Sequence, residues 1–256
     1  MSRITQRGAT GPLALVANGA FQTSTDASLA TLVGTRWDLS DGREVMLVKA
    51  SSATTVAAGK LYQDAAIVAN HQNLAVTAYR AYSANGNVPA RVTVTLGATA
   101  ATANQYAGGY VVVNDNNGEG QTLRIASHPA ADSAASLALT LEDAATVAIT
   151  TASEVCLLPP HGKDIIINPT TPTGAVAGVG LYTIAASSYG FLVTKGLVSG
   201  LAQGAITVGT PISPSASVAG ALAQTPYAGN VVTGAVVGYA NQAGVDTEYR
   251  CVYINV

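Results

Sequence analysis

Residues 189–214 read YGFLVTKGLVSGLAQGAITVGTPISP. Glycines fall at Gly190, Gly196, Gly200, Gly204 and Gly209, and Lys195 is the one cation. Two readings compete. A glycine-rich loop with a lysine cradles phosphate when it runs into a helix N-terminus. Alternatively, the glycines are corners between short strands. A phosphate loop needs G-x-x-x-x-G-K-[ST]. Here Lys195 precedes Gly196, Leu197 and Val198 follow, and a glycine every four residues starts no helix. The dinucleotide pattern G-x-G-x-x-G is missing, and Ser199 in GLVSG stands one position late for the G-x-S-x-G nucleophile elbow. The stretch therefore reads as a strand, YGFLVTK, a glycine-cornered connection, and a second strand, AITV.

The same signals extend outward. RVTVTL (91–96) puts Val92, Val94 and Leu96 on one face, and SLALTLED (136–143) does so with Leu137, Leu139 and Leu141. QTLRIA, TVAIT and TEYRCVYINV read as strands, and YVVV (110–113) and DIII (164–167) as buried ones. Asp41-Gly42, Asn85-Gly86 and Asn117-Gly118 each separate two strand signals, and such pairs supply the positive φ of tight hairpins. DASLATLV (26–33) offers a helical turn or two. The expected fold is all-β, short-stranded sandwich or barrel units with an extended N-terminal arm. Residues 1–35 form the arm, with PLALVA as a short strand. Residues 36–168 form a β-rich body, 168–178 a Pro- and Thr-rich linker, and 179–256 a small C-terminal barrel-like unit.

Composition bounds the function. Of 256 residues, 48% are hydrophobic and only 10% charged, well under the usual quarter. The chain has the apolar content to fold, so its surface is built of Ser, Thr, Asn, Gln, Gly and Ala, which suits packing against copies or partners. Net charge is −2, and only Arg3 and Arg7 approach a basic cluster, so nucleic acid is not the expected partner. The LALV core of the first twenty residues is too short for a leader, and no apolar run reaches membrane-helix length, so no membrane is expected. Synthesis in a cytoplasm, with exit by another route, follows as an expectation.

Catalytic and metal patterns fail one by one. Cys156 and Cys251 form no CxxC and read as small buried residues, their pairing left open. His71, His128 and His161 stand alone in turn-like contexts. In NDNNGEG (114–120) a calcium loop counted from Asp115 has its sixth-position Gly120 but Ala126 at position twelve, so a hairpin turn explains it. Glu142 and Asp143 point to opposite faces of a strand. Asp246 and Glu248 share a face at a solvated hairpin end, short of a converging acid pair. No catalytic, metal or cofactor-binding residue is assigned, and the chain is not expected to be an enzyme. Eleven tyrosines against one Trp and two Phe suit either contact surfaces or ordinary sheet packing.

GTRWDLSDGREVMLVKAS (34–51), YGFLVTKG (189–196), AITVGTPISPSASVAGAL (205–222), VVGYANQAG (236–244) and YRCVYIN (249–255) resemble capsid decoration, or cement, proteins of tailed bacteriophages and related virion structural proteins. The resemblance covers a third to a half of the chain. It implies a homotrimer on the outer capsid surface, assembled in the host cytoplasm, that bridges major capsid protein subunits. Shell contact is then expected in the arm, through Arg3, Ile4, Arg7, Leu13, Leu15 and Phe21, with removal of residues 1–30 leaving the body folded. The alternative is a head- or tail-fibre component or a glycan- or receptor-binding β module, with tyrosines stacking on sugars. A virion-borne glycan hydrolase is a third class with no motif behind it.

Overall fold

A computed structural model describes residues 4–5, 16–17, 20–84, 87–228, 231–232 and 234–256, with backbone alone at 4–5, 16–17, 20, 227–228 and 231–232. The fold is all-β, as the alternation requires, and divides into two compact units. One comprises residues 1–66 and 161–256, and the other is the intervening 67–160.

The first unit opens with β1 (Ile4–Thr5), β2 (Val16–Ala17), β3 (Ala20–Phe21), β4 (Arg36–Leu39), β5 (Glu44–Lys49) and β6 (Leu61–Gln63). Asp41-Gly42 turns β4 into β5 as expected, with Gly42 at φ 84°. β1 adds to the free edge of β4, Ile4 opposite Leu39. The expected arm ends sooner than residue 35. Ser24 and Tyr189 exchange backbone hydrogen bonds of 3.1 and 2.7 Å. Asp26 then caps a 3₁₀ turn over Ala27–Leu32 that sinks Leu29 into the core. Burying that leucine decides the matter, because an arm has no core to offer it.

The second unit holds β7 (Leu74–Arg80), β8 (Arg91–Thr95), β9 (Tyr110–Asp115), β10 (Thr122–Ser127), β11 (Ser136–Leu141) and β12 (Glu154–Leu158). They close into a six-stranded antiparallel barrel in the order β10-β11-β8-β7-β12-β9, with β9 returning to β10. Closure leaves no edge to protect. The expected alternations hold, since Val92, Val94, Leu137, Leu139 and Leu141 all point inward, whereas YVVV, read as a buried run, alternates: Val111 and Val113 point inward and Tyr110 is exposed. Around Asn117-Gly118 the β9–β10 turn uses positive φ at Asn116, Gly118 and Gly120. β7 and β8 form the expected hairpin, although its tip, Asn85 and Gly86, lies outside the described residues. TVAIT is not a strand. Residues 146–147 bend around Gln121, whose Oε1 accepts from both backbone N–H groups.

The chain returns with β13 (Ile166–Ile167), β14 (Val176–Gly180), β15 (Tyr189–Gln203), β16 (Pro211–Pro214), β17 (Leu222–Gln224), β18 (Tyr227–Ala228), β19 (Val231–Val232), β20 (Gly238–Ala240) and β21 (Tyr249–Asn255). The expected linker at 168–178 is not a boundary. Asn168 is buried and bonds Leu61 and Gly220 through its backbone, Thr173 bonds the buried Gln63, and β14 pairs with β6. Proline and threonine there mark an ordered turn, and the real divisions follow Ala66 and Pro160.

β15 corrects the reading of the opening stretch. It is one strand of 15 residues through Gly196 and Gly200, while 205–208 forms a turn held by an Ile206–Gly244 bridge. Its first half is buried on both faces, between a cluster with Trp37, Val45 and Phe191 and another with Met46, Tyr62 and Leu192. A bulge at Thr194, which has no partner between Val193–Val45 and Lys195–Glu44, then reverses the parity. Beyond it Val198 and Ala202 point inward, while Lys195, Leu197 and Ser199 point out. Gly196, at φ 107°, leaves room for Arg43, which a Cβ would meet at 2.9 Å. β15 then pairs with β17, β17 with β16, β16 with β20, β20 with β21, and β21 with β15. This circuit is a closed five-stranded barrel filled by Val198, Ile212, Leu222, Val237, Val252 and Ile254. It is the barrel-like unit expected at the C-terminus.

Candidate functional site

Arg3, Arg7, Leu13 and Leu15 lie outside the described residues, and Ile4 is described only through its backbone pairing. Phe21 packs within its own unit, its ring stacked on Tyr182 at 5.6 Å and edge-on to Phe191 at 5.9 Å.

The histidines are not uniformly turn residues on the surface. His71 and His128 are buried on either side of Tyr106 in the six-stranded barrel. His71 donates from Nε2 to the Thr99 carbonyl at 2.9 Å, so its Nδ1 accepts from the Tyr106 hydroxyl. His128 donates from Nδ1 to the Pro129 carbonyl and accepts the Tyr106 N–H at Nε2. Both rings are thus structural groups, and burial pushes the Tyr106 phenol up to about 12. His161 is half-exposed and donates from Nδ1 to Asp64 at 2.7 Å, while the other Asp64 oxygen accepts the Gly162 N–H. Among the described residues no hydroxyl or thiol bonds the other imidazole nitrogen.

The carboxylates are engaged locally. Asp143 accepts the Arg124 N–H, Asp246 accepts the Gly204 N–H, and Glu142 and Glu248 face Arg124 and Arg250. Both cysteines are free and half-buried. Among the described residues no three His, Cys, Asp or Glu side chains converge as metal ligands would.

The outside of the C-terminal barrel is different. Of the twelve large apolar side chains most exposed among the described residues, eight lie on it, which makes it the place to look for contact. Six of the eight form two groups. Val208 and Val245, 58% and 55% exposed, sit on the two connections at the rim where β15 ends. That rim is stiff: Ile206 and Gly244 exchange hydrogen bonds of 3.0 and 2.9 Å, and Asp246 and Gln224 accept the Gly204 and Thr207 N–H groups.

The second group is the wall of β15, β21 and β20. The register sets Leu197, Tyr253 and Tyr239 in one row, Ser199 beside Cys251 in the next, and Leu201 beside Tyr249 in the third. All are on the outward parity, and Tyr239 and Tyr249 are about half exposed. Two adjoining hollows of about 450 and 430 Å³ share Arg43 and Leu197 and run along this wall. The Asp41-Gly42-Arg43 tip and Leu181 border one side, and Asn241, Gln242 and the tyrosines of β21 the other. Arg43 is clamped to Asp41 by Nε and Nη2 at 2.9 and 2.6 Å.

The alternations LVSGL and YRCVYIN could have located this wall. They do not say which parity faces out, because Thr194 resets it. Compared with known protein families, curated proteins and solved structures, the chain matches none.

Proposed function

We propose that this chain is a structural protein of a phage virion that acts by binding: it sits on the outer capsid surface and holds neighbouring shell subunits together. The observation that carries the reading is the stiff apolar rim bearing Val208 and Val245. A backbone already held by hydrogen bonds loses little freedom on docking, so a small contact repeated over many copies suffices. The low charge of the surface favours the same close packing. The resemblance of 189–222 and 236–255 to decoration proteins supplies the capsid context and the trimer.

The test is co-sedimentation with particles that lack the protein, together with its mass in solution. Val208→Asp with Val245→Asp is expected to lower particle binding at least tenfold while the melting temperature holds. Undiminished binding by this double variant overturns the rim as the contact. A monomer in solution and on particles overturns the trimer.

A further inference from the structure

The wall of the C-terminal barrel has a chemistry the rim lacks. We infer that the trough along β15 and β21 binds a neutral oligosaccharide. Tyr253 and Tyr249 share a face of one strand, four residues apart, so their rings stand about 13 Å from each other at the usual rise. One sugar ring cannot cover both, whereas a short chain of them reaches from one to the other. A tyrosine ring offers a flat apolar face to the C–H side of a pyranose and a hydroxyl at its edge.

Polar groups surround the platforms. Asn241 and Ser199 line the trough, their side chains without a partner among the described residues. The Arg43–Asp41 clamp presents donors and acceptors side by side, as adjacent sugar hydroxyls require. Arg250 lines the far hollow, and its Nε is buried without a partner among the described residues.

Charge selects the kind of sugar. Arg43, at the trough's edge, is matched by Asp41, while Arg250 has the inward parity of Val252 and Ile254 and pairs with Glu248. Asp41 lines the trough beside Tyr253 and repels an acidic chain there, and Lys195, the outward cation of β15, lies past Leu197 at the trough's end. A neutral chain loses nothing. The two hollows fall within the size range of small-molecule sites, and their openness to solvent suits a chain that passes through rather than a buried monosaccharide.

The experiment titrates the full chain with maltohexaose, cellohexaose and a mannan hexamer, and with hexagalacturonate as the acidic counterpart, following tyrosine resonances by NMR. Shifts confined to Tyr253, Tyr249 and Tyr239 on at least one neutral hexamer are expected, with none on hexagalacturonate. Tyr253→Ala is expected to weaken that binding about tenfold, while Tyr253→Phe, which keeps the ring, changes it less than threefold; melting curves show that both variants fold. No shift with any neutral hexamer, preference for the acidic one, or binding indifferent to Tyr253→Ala overturns the inference. Particle binding is a separate measurement, so either proposal can fall while the other stands.

Discussion

Tyr106 is held at three points. Its ring lies between His71 and His128, its hydroxyl donates to His71, and its N–H is accepted by His128. Ionising that phenol would place a charge in an apolar barrel and remove the donor that His71 needs. The folded phenol therefore titrates at about 12, and burial raises Tyr182 to about 12 as well. The sign follows from linkage. Unfolded tyrosine loses its proton near 10, so between pH 10 and 12 the unfolded chain is ionised while the folded one is not. The stabilisation is complete below pH 10 and disappears as pH rises through 12. Alkaline titration by tyrosinate absorbance should show Tyr106 and Tyr182 as a late group that rises together with the loss of the folded circular dichroism signal. At this scale the turn pairs Asp41-Gly42 and Asn117-Gly118 were legible because their φ requirement is local. The burial of His71 and His128 was not, because it depends on partners 28 and 22 residues or more away in the chain.

Among elements, β15 carries the most. One strand serves a two-faced core, then a bulge, then a barrel wall, and the bulge alone decides which side chains meet solvent. Thr194 is itself buried, its hydroxyl donating to Glu44 at 3.0 Å. Inserting one alanine between Lys195 and Gly196 would reverse the parity that the bulge sets and aim Leu197 and Ser199 inward and Val198 outward. Hydrogen exchange is expected to show lost protection in 195–255 with 67–160 still protected; protected amides in 249–255 would contradict the bulge's role. The N-terminal segment makes a second case. Among the described residues, removing 1–20 costs the β1 and β2–β3 pairings, whereas removing 1–30 also strips Phe21 and Leu29 from the core. The longer truncation should therefore lose about 3–5 kcal/mol more in a denaturant melt, as large core truncations do. This revises the expectation that residues 1–30 are dispensable for folding. Alternation revealed β8, β10, β11 and β21 directly. It misplaced AITV and TVAIT because a few apolar residues at a loop look the same whether they pair with a strand or pack beneath one.

For the whole molecule, the barrel-like C-terminus was readable but the domain boundaries were not. Proline-rich composition pointed to 168–178, while the divisions follow Ala66 and Pro160. Composition records local stiffness, and a domain boundary is a matter of which distant strands pair. β6, β13 and β14 join across the whole inserted segment, which no local signal reports. Because β7–β12 close on themselves, the excised segment 67–160 should fold alone and melt cooperatively, as small single domains do; a disordered spectrum would show that it depends on its host. The reciprocal case rests on Asp64 and His161. The chain leaves the first unit just after Asp64 and comes back at His161, and the bond between them shows that both ends of the gap are already side by side. A few flexible residues should then bridge them with little entropic penalty. Seen this way, the clasp is a splice point: a foreign domain with neighbouring termini should be accepted between Asp64 and His161 while the host unit keeps its own fold.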